Sequence, residues 1–82
     1  MATVTIRDNA SAGWHEFTSP DIPGFYMVAP EEKVTAAYED IPRAIELLYQ
    51  AQKKKAVVRL KGIKSSPGAQ IRQYAIEITP AS

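Results

Sequence analysis

The side chains best suited to chemistry are one histidine and three carboxylates near the start of the chain. His15 is of the type that serves as a general base near neutral pH. Asp8, Glu16 and Asp21 could supply the carboxylate oxygens of a metal-dependent nuclease site. No serine or cysteine pattern accompanies the histidine, and two of the carboxylates fall where Asp serves strand ends and turns. We therefore interpret His15 as a histidine at the core edge and expect no catalytic residue, no metal ligand and no cofactor.

Composition excludes several other classes of function. The chain of 82 residues contains no cysteine, which removes disulfide frameworks and thiolate metal sites. The glycines are scattered, so no phosphate-binding loop is present. No apolar run approaches the length of about 18 residues needed for a membrane span. The first ten residues lack the basic and apolar regions of a signal peptide, so we expect a cytoplasmic protein with no membrane contact.

Charge is divided unevenly along the chain. Residues 1–52 hold three basic and eight acidic side chains, whereas residues 53–82 hold seven basic ones against one acid. The bases are Lys53, Lys54, Lys55, Arg59, Lys61, Lys64 and Arg72. They could contact phosphates or an acidic protein partner, or simply be solvated, or complement the acidic half within an oligomer. We assign partner binding to Arg59, Lys61 and Arg72 and rank nucleic acid second, because few aromatics for base stacking accompany them.

The opening segments predict a hairpin. Residues 3–8 alternate, with Val4 and Ile6 inward, and residues 8–13 have turn composition. Residues 14–19 form the returning strand, with Phe17 in the core and Trp14 beside the turn. Pro23 and Gly24 then predict a type II turn, because Pro presets φ and Gly permits positive φ. Residues 25–29 are apolar on both faces, which predicts a central or well-covered strand.

An amphipathic helix follows Pro30. Its apolar residues recur at spacings of three and four and are Val34, Ala37, Tyr38, Ile41, Ala44, Ile45, Leu48 and Ala51. Pro42 either kinks one helix or begins a second one; the unbroken phase of the stripe favours one kinked helix. Residues 53–55, all lysine, are predicted to close the helix, where cations favour the carbonyl end.

Two further strands complete the chain. Residues 56–63 place Val58 and Leu60 inward and the bases outward, residues 65–68 have turn composition, and residues 70–79 place Tyr74, Ile76 and Ile78 on one face. The fold class is therefore α+β: one domain, residues 1–82, with the order β-β-β-α-β-β. A curled antiparallel sheet with one long helix packed on one face buries the apolar stripe.

Parts of this sequence resemble the HicB-like antitoxin family. The matching pieces are the turn at residues 20–24 (PDIPG), the helix end at residues 43–48 (RAIELL) and the opening hairpin. The likeness covers roughly residues 3–50, and no DNA-binding segment follows it. It implies a HicB-like sheet-and-helix fold similar to a trimmed double-stranded RNA-binding or RNase H-like layout, in a bacterial or phage protein.

The resemblance and the residues together predict a non-enzymatic interaction module. Because the core is small and one sheet face and an edge lack cover, we expect a homo-oligomer. The resemblance adds a toxin–antitoxin system, in which the partner is a small ribonuclease toxin. The alternative is a nucleic-acid-binding protein that uses the basic C-terminal third, and an enzyme with a degenerate nuclease-like fold ranks third.

Overall fold

A computed structural model describes residues 2–66 and 69–80 of the chain. It contains five strands, one 3-10 turn and one α-helix: β1 (Ala2–Ser11), β2 (Trp14–Thr18), β3 (Tyr26–Pro30), the 3-10 turn Glu31–Lys33, α1 (Val34–Ala51), β4 (Lys54–Ser66) and β5 (Ala69–Pro80). All strand pairs are antiparallel, and the sheet order is β3-β2-β1-β5-β4. The predicted α+β class and the order β-β-β-α-β-β are confirmed.

The β1–β2 hairpin is longer and its turn tighter than the sequence predicted. Strand β1 continues to Ser11, and only Ala12 and Gly13 connect the strands, with φ of 52° and 82°. Two positive φ values give a turn whose twist matches that of the flanking strands. The predicted hairpin is present, but the turn predicted over residues 8–13 is confined to Ala12 and Gly13, and Asp8 is a buried strand residue. Val4, Ile6 and Phe17 lie in the core as predicted.

The turn before β3 has the predicted geometry. Gly24 has φ of 85°, and the backbone N–H of Phe25 donates to the carbonyl oxygen of Ile22 over 3.2 Å. Pro23 and Gly24 therefore occupy the two central positions of a type II turn. Ile22 and Phe25 are buried, so the turn anchors the chain in the core on both of its sides.

The prediction of a central or well-covered strand is wrong for β3. Among the described residues it pairs only with β2, so it forms one edge of the sheet. Ala29 is buried on the helix side, whereas Tyr26 and Val28 are 60% and 52% exposed because no described element covers the other face. The apolar residues of this strand thus reflect one packed face and one exposed apolar face.

Helix α1 runs through Pro42 without interruption, so the chain has one helix here and Pro42 does not begin a second one. Ala37, Ile41 and Ile45 are buried, and the rest of the predicted stripe packs partly buried around them except Ala51, which is exposed. The predicted lysine-rich helix end is wrong. Lys53 lies in the connection with φ of 60°, and the next two lysines belong to β4, because the helix ends at Ala51.

Strands β4 and β5 are the longest pair of the sheet, and β1 pairs with the other side of β5 from Ala69 to Ile76. The molecule measures 44 Å along its longest axis. The register of the β4–β5 pair shifts between Leu60 and Gly62, which marks a β-bulge. Val58, Tyr74 and Ile76 are buried under α1, but Leu60 is 49% exposed although it was predicted to be a core residue. It lies on the helix side of the sheet, beyond the area that α1 covers. Of the predicted turn at residues 65–68, the first two residues extend β4 and residues 67–68 lie outside the described residues.

Candidate interaction site

A buried polar cluster joins the first hairpin to the helix. Asp8 is 4% exposed, and His15 Nδ1 lies 2.8 and 2.9 Å from its two carboxylate oxygens. The hydroxyl group of Tyr38 donates a short hydrogen bond to Asp8 Oδ2. The β1–β2 register places Asp8 opposite Phe17, so His15 is its diagonal neighbour on the helix side of the sheet. The cluster therefore fixes the position of Tyr38 relative to the sheet.

The ring of Tyr38 in turn supports a cation. The Tyr38 ring packs against the Phe17 ring in a T-shaped contact, with the ring centroids 5.4 Å apart. The guanidinium carbon of Arg72 lies 3.6 Å from the centroid of the Tyr38 ring, which is a cation–π geometry. Arg72 Nε also donates to Gln70 Oε1 over 3.1 Å. Arg72 is thus held between β5 and the helix by an aromatic face and a side-chain amide.

Both nearby tyrosines are held in their neutral form. Burial raises the pKa of Tyr38 well above its usual range, and the hydrogen bond and charge of Asp8 act in the same direction. Burial also raises the pKa of Tyr74, and the charge of Arg72 opposes that rise. Both hydroxyl groups therefore remain protonated near neutral pH, and the Tyr38 hydroxyl stays a hydrogen-bond donor to Asp8.

The carboxylates considered for a metal site are not brought together. Glu16 is exposed on β2, and Asp21 accepts a hydrogen bond from the backbone N–H of Thr5 over 2.7 Å. Asp8 faces His15 and Tyr38 instead. Within residues 2–66 and 69–80, no group of three or more potential metal ligands occurs, and every buried side-chain nitrogen or oxygen has a hydrogen-bond partner. The polar cluster is internally satisfied, as expected of a structural element that positions Tyr38 and Arg72.

Beside the cluster, an open groove lies between α1 and strands β4 and β5. This α1–β4 groove has a volume of about 500 Å³ and is lined by Thr35, Tyr38, Glu39, Pro42, Leu60, Arg72 and Tyr74. Its wall is apolar at Pro42 and Leu60, and Arg72 supplies a positive charge. Among the described residues, no carboxylate forms an ion pair with Arg72. The groove therefore combines apolar surface with a cation that has no charged partner there.

A second exposed surface lies on the opposite side of the sheet. Within residues 2–66 and 69–80 no helix covers that face, which we call the uncovered face. At its β2–β3 corner are Trp14, Tyr26 and Val28, which we call the outer patch and which are each more than half exposed. Trp14 pairs with Pro30, and Tyr26 pairs with Thr18, so these side chains share one face.

The three residues predicted to bind a partner are divided between the two sides. Arg59 pairs with Ala75, and Arg72 is three residues away from Ala75 along β5, so their side chains point to opposite faces. Lys61 is the extra residue of the bulge between Leu60 and Gly62. Arg72 belongs to the α1–β4 groove and Arg59 to the uncovered face, so the three do not form one patch.

Reasoning from the sequence missed the cluster of Asp8, His15 and Tyr38. The available signal was the even spacing of Val4, Ile6 and Asp8, which places all three side chains on the inner face of one continuous strand. Turn composition after Asp8 obscured that signal. The contact of Tyr38 with Asp8 spans 30 positions and has no local signature.

Comparisons with protein-family models, curated proteins and solved structures give no match to this chain. The HicB-like resemblance therefore rests on the motifs of the sequence alone. In the part of the chain that the structure describes, no helix is long and apolar enough to cross a membrane.

Proposed function

We propose that this protein is a non-enzymatic interaction module that self-associates through the uncovered face of its sheet. The single observation that carries this proposal is the outer patch, where Trp14, Tyr26 and Val28 are 53%, 60% and 52% exposed on one side of the sheet. Neighbouring exposed apolar side chains, aromatic ones above all, are typical of association surfaces. A second copy stacked on this face would complete the two-layer packing that the sheet has on its helix side only.

The protein carries its own probe for this association. Trp14 is the only tryptophan of the chain, and it lies in the outer patch. Its fluorescence emission should move to shorter wavelength as protein concentration rises, because association removes the indole ring from water. Light scattering at the same concentrations should give a mass above the 9.0 kDa of one chain. A constant emission maximum together with a monomer mass across micromolar concentrations would contradict the proposal.

Two substitutions separate the outer patch from general surface effects. Val28→Lys places a charge in the patch, whereas Leu47→Lys places one at a similarly exposed apolar position, 48% exposed, on the helix. Val28→Lys should shift the mass towards the monomer, and Leu47→Lys should leave it unchanged. Circular dichroism checks that both variants fold, and Tyr26→Lys repeats the test at a second patch residue. Equal effects at both positions would show that association does not use the uncovered face.

The HicB-like resemblance extends this proposal to an antitoxin-type role in the cytoplasm of a bacterium or phage, with a small ribonuclease toxin as partner. A small basic open reading frame beside the gene would support this extension, and co-expression of its product should then give a complex that copurifies. An isolated gene supports an orphan domain that only self-associates. The extension and the self-association are tested separately by these two experiments.

Nucleic-acid binding is a second candidate, and one arrangement favours it. The uncovered face carries the exposed aromatics Trp14 and Tyr26 together with Arg7 and Arg59. Aromatic rings that stack on bases, accompanied by cations for phosphates, are typical of single-strand binding on a sheet. Quenching of Trp14 by mixed RNA and DNA near physiological salt, with a mobility shift that is lost when Arg7 and Arg59 become Glu, would rank this candidate first.

A further inference from the structure

Strand β4 is an open edge of the sheet. It spans thirteen residues and, among the described residues, pairs only with β5, so the backbone groups that point away from β5 are not used by the sheet. An exposed edge of this length can accept another strand. Five cations lie along it: Lys54, Lys55, Arg59, Lys61 and Lys64. Such charges oppose pairing of β4 with a second β4, because like charges would face each other, and they favour an acidic strand.

The helix side of the same edge is apolar. Leu60 and Ile63 are 49% and 48% exposed. Leu60 pairs with Tyr74 and Ile63 pairs with Arg72, so all four side chains lie on the face that α1 only partly covers. A strand added to β4 would project every second side chain onto this corner. Apolar side chains at those positions would cover Leu60 and Ile63.

Arg72 gives this corner its chemical preference. It lies half-buried in the α1–β4 groove, held against the Tyr38 ring, and forms no ion pair with a carboxylate of the described residues. A guanidinium group partly removed from water by an aromatic ring binds a carboxylate strongly, because its donors match both carboxylate oxygens. Glu39 also lines the groove, but it is exposed and forms no ion pair with Arg72.

We propose that β4 and the α1–β4 groove bind an extended acidic segment of a protein partner, which adds a strand to β4 and places a carboxylate side chain on Arg72. This inference rests on the proposed function, since it names the kind of partner that an interaction module would take. The occupant is a partner strand rather than a second copy: β4 of another copy would bring five like charges, and β3, the other free edge, has only five residues against thirteen.

The probe is a short synthetic peptide of about eight residues, a length that covers one side of an edge strand. Threonine occupies every second position of the peptide, and the positions between are, in order, valine, glutamate, valine and valine. One face of the extended peptide is therefore apolar and carries a single carboxylate. Its twin has glutamine in place of glutamate. Fluorescence anisotropy of labelled peptides should show that the wild-type protein binds the glutamate peptide roughly tenfold more tightly than its twin.

The ratio of the affinities for the glutamate and glutamine peptides tests whether Arg72 binds the carboxylate. Arg72→Gln should bring this ratio close to one, whereas Arg59→Gln, on the opposite face of the same strand pair, should weaken both peptides equally and preserve the ratio. Glu39→Gln should increase binding of the glutamate peptide, because it removes a like charge from the groove. If Arg72→Gln fails to fold by circular dichroism, Arg72→Lys replaces it and should give an intermediate ratio, because it keeps the charge without the planar donor pair.

Three results would overturn the inference: equal affinity of the wild-type protein for both peptides, a ratio that survives loss of Arg72, or a change of solution mass in Arg72→Gln, which would make a second copy the occupant. The proposed function fails independently, by a constant monomer mass. A protein that binds the glutamate peptide as a monomer would keep this site and lose the outer-patch association. A protein that associates but binds neither peptide would keep the outer-patch association and lose this site.

Discussion

Replacing Tyr38 by Phe removes one hydroxyl group at the junction between the helix and the sheet. That hydroxyl donates to Asp8 Oδ2, and Asp8 is almost completely buried. The phenyl ring remains, so its contacts with Phe17 and with the guanidinium group of Arg72 are kept. The substitution therefore isolates a single hydrogen bond to a carboxylate that water does not reach.

The expected cost follows from the partners that remain. A hydrogen bond to a charged group contributes about 1.5–3 kcal/mol, and a buried acceptor left without a donor loses about as much. Asp8 keeps His15 Nδ1 at 2.8 and 2.9 Å, so the carboxylate does not lose all of its donors. We therefore expect Tyr38→Phe to lower the free energy of unfolding by about 1.5–2 kcal/mol. For a domain of this size, each kcal/mol lowers the melting temperature by about 4–8 °C.

Urea unfolding followed by circular dichroism measures this loss. The midpoint should fall while the slope with denaturant is unchanged, because the surface exposed on unfolding is the same. Tyr49→Phe is the matched control: Tyr49 is half-buried on the same helix, and its hydroxyl has no hydrogen bond to another described residue. If the two variants differ by less than about 0.5 kcal/mol, the size expected of a neutral substitution, then the polar cluster does not stabilise the fold.

Three further predictions concern the turn, the helix and alkaline pH. Gly24→Ala should lower the free energy of unfolding in urea by about 1–2 kcal/mol, because its φ of 85° disfavours a residue with a Cβ. Gly62→Ala is the control and should be nearly neutral: an added Cβ has the same open space at both positions, but Gly62 has no positive φ. Equal losses would contradict the turn. Ile45→Ala should cost about 2–5 kcal/mol and Leu47→Ala less than about 0.5 kcal/mol, because Ile45 is fully buried and Leu47 is 48% exposed; comparable midpoints would show that the helix phase is wrong. Burial, followed by the hydrogen bond and charge of Asp8, raises the pKa of Tyr38 above its ordinary 10.0. The folded protein therefore holds this proton more tightly than the unfolded chain, so wild-type stability should be maintained up to about pH 10 and fall at higher pH. Urea midpoints measured across this range should fall less steeply for Tyr38→Phe, and an identical fall would refute the coupling.

Local patterns in the sequence determined the secondary structure and most of the core. The apolar spacing placed Ile41 and Ile45 on the buried side of the helix, and alternation placed Val4 and Ile6 inward. The Pro23–Gly24 pair required a turn with positive φ. These features depend on the period of a helix or strand and on the backbone freedom of one residue, which neighbouring residues in the chain specify.

Only the tertiary structure decided which apolar residues are covered. Phe25–Ala29 and Leu60 have the composition of buried strands, but β3 and β4 became the edges of the sheet and α1 covers only part of its inner face. A strand sequence specifies which side chains share a face but not what lies against that face. The exposed outer patch and the exposed corner at Leu60 follow from strand order, which no local pattern encodes.

The candidate site also depended on contacts between distant segments. The sequence grouped Arg59, Lys61 and Arg72 because all three are basic and close in the chain, whereas the pleat and the bulge place Arg72 on the helix side and Arg59 on the other. Tyr38 entered the prediction as a residue of the apolar stripe, and its role as the support of Arg72 required Asp8, 30 positions away. Residue types and local spacing are written in the sequence, but the environment of each charge is set by the elements that pack around it, and that packing is a property of the folded chain.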